Sequence, residues 1–179
     1  MMRRALLLPA LAASALLGAC STNDGLTRLE PTYEEAAASP FLNANRSAIN
    51  RMVGEFDRRN YGGDSPVLVA TIVNVNDLSR AAPLGRTLSE QFASQLVANG
   101  FQVKELKLRG DVFVKEGTGE LLLSREIKDI ARNHRAALVL VGTYSPAATM
   151  TFISLKLVRT EDSQIVRSQD YALPNDRDV

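Results

Sequence analysis

Several things are scarce in this chain, and each scarcity closes a class of function. The 179 residues contain one cysteine, one histidine and no tryptophan. A lone cysteine excludes an intramolecular disulfide framework. A zinc site made from protein side chains usually draws on several Cys or His, and His134 alone does not supply them. Aromatics make up only 6% of the residues, too few for the stacking platforms that bind single-stranded nucleic acid. Net charge is also scarce, at +1. Arg3 and Arg4 lie in a segment read below as a leader, and without them the balance turns slightly negative. Such a chain has no global electrostatic attraction to DNA or RNA.

What is present is an ordinary globular composition, 45% hydrophobic and 23% charged, sufficient for one domain with an appendage. The appendage comes first. Met1-Met2-Arg3-Arg4 is a short positive start, and Ala5 to Leu17 is uncharged and apolar, interrupted by Pro9 and Ser14. That stretch is too short to cross about 30 Å of hydrocarbon as a helix and has the form of a signal-peptide core. Leu17-Gly18-Ala19-Cys20 follows and resembles the bacterial lipobox. Small residues before the cysteine admit an extended backbone to a peptidase cleft, and the thiol is the group that takes the lipid. The resemblance implies that residues 1–19 are removed and that Cys20 is lipid-modified, with acyl chains such as palmitate. Two or three chains anchor stably where one anchors marginally. Ser21 after the cysteine, by the sorting rule of that family, implies the outer membrane.

Residues 20–39, with Asp24-Gly25, Pro31 and Glu34-Glu35, show no sustained apolar period and read as a flexible tether. The domain is expected over residues 40–179. Ser39-Pro40 has the form of a helix start, with serine as a cap. Ile49, Met52, Val53 and Phe56 share a helical face. Val67–Val73 is a nearly continuous apolar run, as in a strand covered on both faces. Pro83 opens a second helix with Leu84, Leu88, Phe92, Ala93, Leu96 and Val97 inward, stopped at Gly100. Phe101–Leu108 suggests a strand nearer an edge, and residues 109–119 an excursion with a short hairpin around Val112-Phe113-Val114. Ser124 is placed to cap a third helix running from Arg125 to about His134, with Ile127, Ile130 and Ala131 inward. Ala137–Val141 is a second apolar strand. Strands near Thr149–Arg159 and Gln164–Leu173 form a hairpin across Glu161-Asp162-Ser163. A phase change in the first of these predicts a β-bulge near Phe152. The expected fold is a single α/β domain, a mixed sheet of about five strands packed by three helices.

Motifs for catalysis are not found. There is no G-x-S-x-G elbow, Ser-x-x-Lys pair or phosphate-loop lysine, and Leu122 stands where Gly117-Thr118-Gly119 would need its third glycine, so that stretch reads as a turn. Glu34, Glu35, Asp176 and Asp178 fall near the ends, and Glu161-Asp162 falls in a turn. His134 lies at a charged helix end, where interaction with terminal carbonyls is the expected use. No catalytic residue, metal or cofactor is expected beyond the covalent lipid on Cys20. One surface feature stands out: Arg125, Lys128, Arg132 and Arg135 recur along one face of the third helix, flanked by Glu126 and Asp129. This is a solvated helix face or a stripe that docks an acidic partner or lipid headgroups.

The order and spacing of several strings are similar to those of the FlgO family of bacterial lipoproteins. They are Leu84-Gly85-Arg86-Thr87-Leu88-Ser89-Glu90-Gln91, Gly100 to Arg109, Gly119 to Glu126, Leu138 to Tyr144 and Asp170-Tyr171-Ala172-Leu173-Pro174. The resemblance implies an outer-membrane lipoprotein with an α/β fold distantly like the TolB N-terminal domain and the periplasmic part of CsgG. It implies a non-enzymatic, periplasm-facing role in flagellar assembly or stability, with envelope or basal-body proteins and the membrane as partners, and neither nucleic acid nor a small-molecule substrate. The alternative is a general envelope-assembly or secretion accessory lipoprotein. A pore is disfavoured because only Thr149–Leu173 is long enough for a lipid-facing hairpin, and its alternation fails at Phe152 and at Arg167, Gln169 and Asp170. A peptidoglycan hydrolase would need carboxylates gathered in a groove.

Overall fold

The structure is a computed structural model, and it describes residues 32–78, 82–106 and 125–175. The leader, Cys20, the predicted hairpin in 109–119, Ser124 and the Gly117–Leu122 stretch lie outside these residues. A one-turn helix, α1 (Tyr33–Ala37), closes the segment read as tether. Its start carries a reciprocal cap: Thr32 Oγ1 accepts from the Glu35 amide, and the Glu35 carboxylate accepts from the Thr32 amide. The first long helix, α2 (Pro40–Val53), has proline at its first turn as expected, but Ser39 makes no side-chain cap bond. Its carbonyl accepts instead from the Asn43 amide at 3.0 Å.

The predicted Val67–Val73 strand is two strands, β1 (Val67–Ala70) and β2 (Val73–Asn74). Next come α3 (Pro83–Ala98), β3 (Val103–Leu106), α4 (Arg125–Asn133), β4 (Leu138–Pro146), β5 (Met150–Arg159) and β6 (Ile165–Pro174). The sheet runs β3-β1-β4-β5-β6, with β2 beside the end of β4. Parallel pairing joins β3, β1 and β4, and antiparallel pairing joins β4, β5 and β6. The short β3 is an edge strand, as its mixed composition suggested.

Alternation distributes the core over two faces. Val67, Val69, Leu138 and Leu140 pack with Ile153, Leu155, Leu157 and Leu173 beneath α2 and α3. Leu68, Ala70, Val139 and Val141 face the other way, against Ala131 of α4. A strand buried on both faces must be apolar at successive positions, which is why β1 and β4 read as continuous runs.

The expected bulge near Phe152 is not there. The register of β5 against β6 shifts between Leu157 and Val158. At the other end of the strand Phe152 simply points away from the main core and is 54% exposed. Thr151 takes the buried phase instead, its hydroxyl bonded to the Asn175 side chain at 2.7 Å. A second difference concerns α3: Val97, expected inward, is 56% exposed, and Gly85 and Ser89 are buried. Gly100 does take the left-handed conformation that ends the helix, with φ 81°.

Candidate functional surfaces

Three buried polar residues hold the elements of the domain together. Ser89 Oγ accepts from the Ile72 amide at 2.9 Å and donates to the Gly85 carbonyl at 2.7 Å. It thereby satisfies the backbone at the break between β1 and β2. This works because α3 lies against the sheet: a Cβ added to Gly85 would stand 1.9 Å from the Ile72 carbonyl oxygen. Asn45 of α2 donates to the Gln91 side chain of α3 at 2.6 Å and accepts from the Tyr171 hydroxyl of β6. Burial pushes the Tyr171 phenol above its ordinary pKa. Thr151 is bonded as described above. The polar side chains of the core are therefore engaged within the fold.

Among the described residues, no group of three or more His, Cys, Asp or Glu is placed to hold a metal. No described helix is long and apolar enough to cross a membrane.

The predicted cationic stripe is brought together only in part. Arg125 begins α4, Lys128 is half-buried, and Arg132 is exposed and paired with Asp129 at 3.1 Å. The helix ends at Asn133, and Arg135 lies beyond it with φ 53°. The helical spacing thus stops at Arg132, because the chain reverses there to enter β4. His134 is exposed, and its carbonyl accepts from Lys104 Nζ at 3.5 Å.

The structure assembles a different group that the sequence does not announce. After α2 the chain passes through Phe56 and a 3₁₀ turn at Arg58–Tyr61, begun by Asp57, whose side chain accepts from the Arg59 amide. Phe56 stacks on Tyr61 with ring centroids 4.8 Å apart, and Phe101 lies 6.1 Å from Phe56. Each ring carries a guanidinium: Arg58 over Phe101 at 5.3 Å, Arg159 over Tyr61 at 5.9 Å and Arg167 over Phe56 at 5.4 Å. Arg159 is neutralised by a two-pronged pair with Asp162 at 2.9 and 2.6 Å, which holds that carboxyl down at about 2. Arg59 similarly lowers Asp57. Among the described residues, Arg58 and Arg167 donate only to the backbone carbonyls of Gly100 and Val166, and neither has a carboxylate partner there. The six residues come from four separate stretches of the chain. The only sequence-level sign was Phe56, whose apolar phase continued past the end of the helix.

This group lies at one end of the sheet. Tyr171 of β6 meets Asn45 in the first half of α2, whereas Arg167, nearer the start of β6, meets Phe56 beyond the helix. The helix therefore runs opposite to β6, and the chain enters the domain at the end away from the arginines.

Comparison with known proteins comes at two levels. The family profile described as FlgO protein matches residues 46–178. Among solved structures, the LpoB C-terminal domain from Escherichia coli is similar with a TM-score of 0.51 and 18% identity, over 75% of this chain and 98% of that one. The LpoB C-terminal domain from Salmonella enterica gives 0.50, 18%, 75% and 98%. At that identity the likeness concerns the fold. No curated protein matches the chain.

Proposed function

This chain belongs to the FlgO family, and from that premise we propose that it is a non-enzymatic lipoprotein of the bacterial outer membrane, facing the periplasm. In this reading residues 1–19 are its leader, Cys20 carries the lipid, and residues 20–39 tether the domain of residues 40–179. The domain supports the assembly or stability of an envelope-spanning machine, the flagellum first. The observation that carries the reading is the family match across most of the domain, joined to Leu17-Gly18-Ala19-Cys20 ahead of it. Its non-enzymatic character is supported by the family.

A second reading, a general envelope-assembly accessory without a flagellar task, draws support from the shared fold with the LpoB domains, which belong to a differently named protein. One experiment separates the two. A deletion strain is complemented with the wild type or with Cys20→Ala, and filament counts, membrane leakage and fractionation are scored on the same cultures. Lost filaments rescued only by the wild type, with the wild type in the outer-membrane fraction, are the expected result. Normal filaments with a leaky envelope select the second reading. Full rescue by Cys20→Ala overturns the anchored role.

A further inference from the structure

The geometry points to the Arg58–Arg167 aromatic cluster as a docking surface for an acidic, carboxylate-rich protein segment. The inference deepens the proposed function, since it names the surface on which an envelope partner would sit. Each guanidinium lies over a ring, Arg58 5.3 Å from the centre of Phe101 and Arg167 5.4 Å from that of Phe56, so its place is restricted before any partner arrives. Both are exposed, and among the described residues each spends a donor on one backbone carbonyl and meets no other acceptor. A planar guanidinium with N–H groups left over can take a carboxylate in two parallel bonds. Two nearby described acids are engaged elsewhere: Asp57 is held by Arg59 and Asp162 by Arg159.

A carbohydrate would instead need a free ring face to stack on, and here the faces carry guanidiniums. The cluster also sits at the end of the domain opposite to the entry of the chain into α2, so a tether at the other end leaves it accessible. Burying two cations without partners would be costly, which makes carboxylates the matching chemistry.

The test uses the full chain in mild detergent and fluorescence anisotropy of labelled decaglutamate, with labelled decalysine and isolated sacculi as competing probes. Decaglutamate is expected to bind, with affinity falling as salt rises. The pair Arg58→Gln with Arg167→Gln should weaken it at least about tenfold, while Arg46→Gln, an exposed arginine on α2, should leave it within about twofold. The pair Arg58→Lys with Arg167→Lys should lose most of the affinity, because lysine keeps the charge without the planar fork. Melting by circular dichroism verifies that each variant is folded. Binding of decaglutamate no better than decalysine, equal binding by the Gln pair, or preference for sacculi overturns the proposal. Wild-type affinity in the Lys pair overturns its geometric part. The deletion phenotype is scored separately: if the Gln pair loses decaglutamate yet rescues the deletion fully, the surface has no part in that role. If the deletion has no phenotype, the envelope reading fails while the binding result stands.

Discussion

The two halves of the sheet obey different rules. In the parallel half, β1 and β4 are covered by α2 and α3 on one face and by α4 on the other, and successive side chains are buried. In the antiparallel half, β5 and β6 bury mainly one face; Thr151, Ile153, Leu155 and Leu157 point inward while Phe152 is exposed and Ser154 and Lys156 are half-exposed. The contrast shows where substitutions should matter. A residue in Val67–Ala70 or Leu138–Gly142 has no solvent side to retreat to, whereas alternate residues of β5 do.

The sharpest way to break this comparison is to place the same charge in each half. Val139→Asp puts a carboxylate under α4 at a position 0% exposed, which should cost several kcal/mol and deplete the folded protein. Phe152→Asp, on the same face of the neighbouring strand, should change stability by about 0.5 kcal/mol or less. Equal destabilisation in urea titrations would show that the outer face of β5 is covered in solution.

The closeness of α3 to the sheet supplies the next test. Alanine is a better helix former than glycine by about 1 kcal/mol, yet Gly85→Ala should destabilise by about 1–3 kcal/mol, because the new methyl meets the Ile72 carbonyl. A raised melting temperature would contradict that packing. Ser89→Ala removes the acceptor for the Ile72 amide and should cost about 1–3 kcal/mol, read as a lower urea midpoint at constant slope.

A smaller effect is expected in the antiparallel half. Tyr171→Phe should cost about 1 kcal/mol by taking the donor from Asn45. Its pH signature is distinctive. Folding raises the phenol pKa, so the wild-type contribution is whole below the ordinary value near 10 and is lost as pH rises beyond it. The wild type should therefore lose more stability than Tyr171→Phe on going strongly alkaline.

The smallest effect lies in the β5–β6 turn. Folding lowers Asp162, so its contribution is present above the ordinary carboxylate value of about 4 and fades as pH falls through about 2. A carboxyl titration followed by NMR should give that low midpoint in the wild type and a higher one in Arg159→Gln, where the Gln164 amide still favours the carboxylate.

Most of the fold was legible in the chain. The runs at Val67 and Leu138 announce strands covered on both faces, and Pro40, Pro83 and Gly100 mark helix ends through their fixed or left-handed backbone. The errors share a cause. The phase change predicts a bulge near Phe152 and the helical stripe places Val97 inward, but hydrophobicity states what a side chain prefers and not whether anything covers it. Conversely the structural roles of Asn45, Gly85 and Ser89 leave no mark in the local pattern, since their partners lie on other elements. The surface predicted on α4 rested on helical spacing that the reversal after Asn133 cuts short.

The α/β class, the approximate places of the helices and strands, and the chemistry that a single cysteine and a single histidine leave open are written along the chain. These follow from local periodicity and composition, which act along the chain. Packing sets which faces are covered, how tightly α3 approaches Ile72, and that Phe56, Tyr61 and Phe101 meet under Arg58, Arg159 and Arg167. Those are contacts between segments distant in sequence, and their energies exist only once the sheet has brought the segments within a few ångströms.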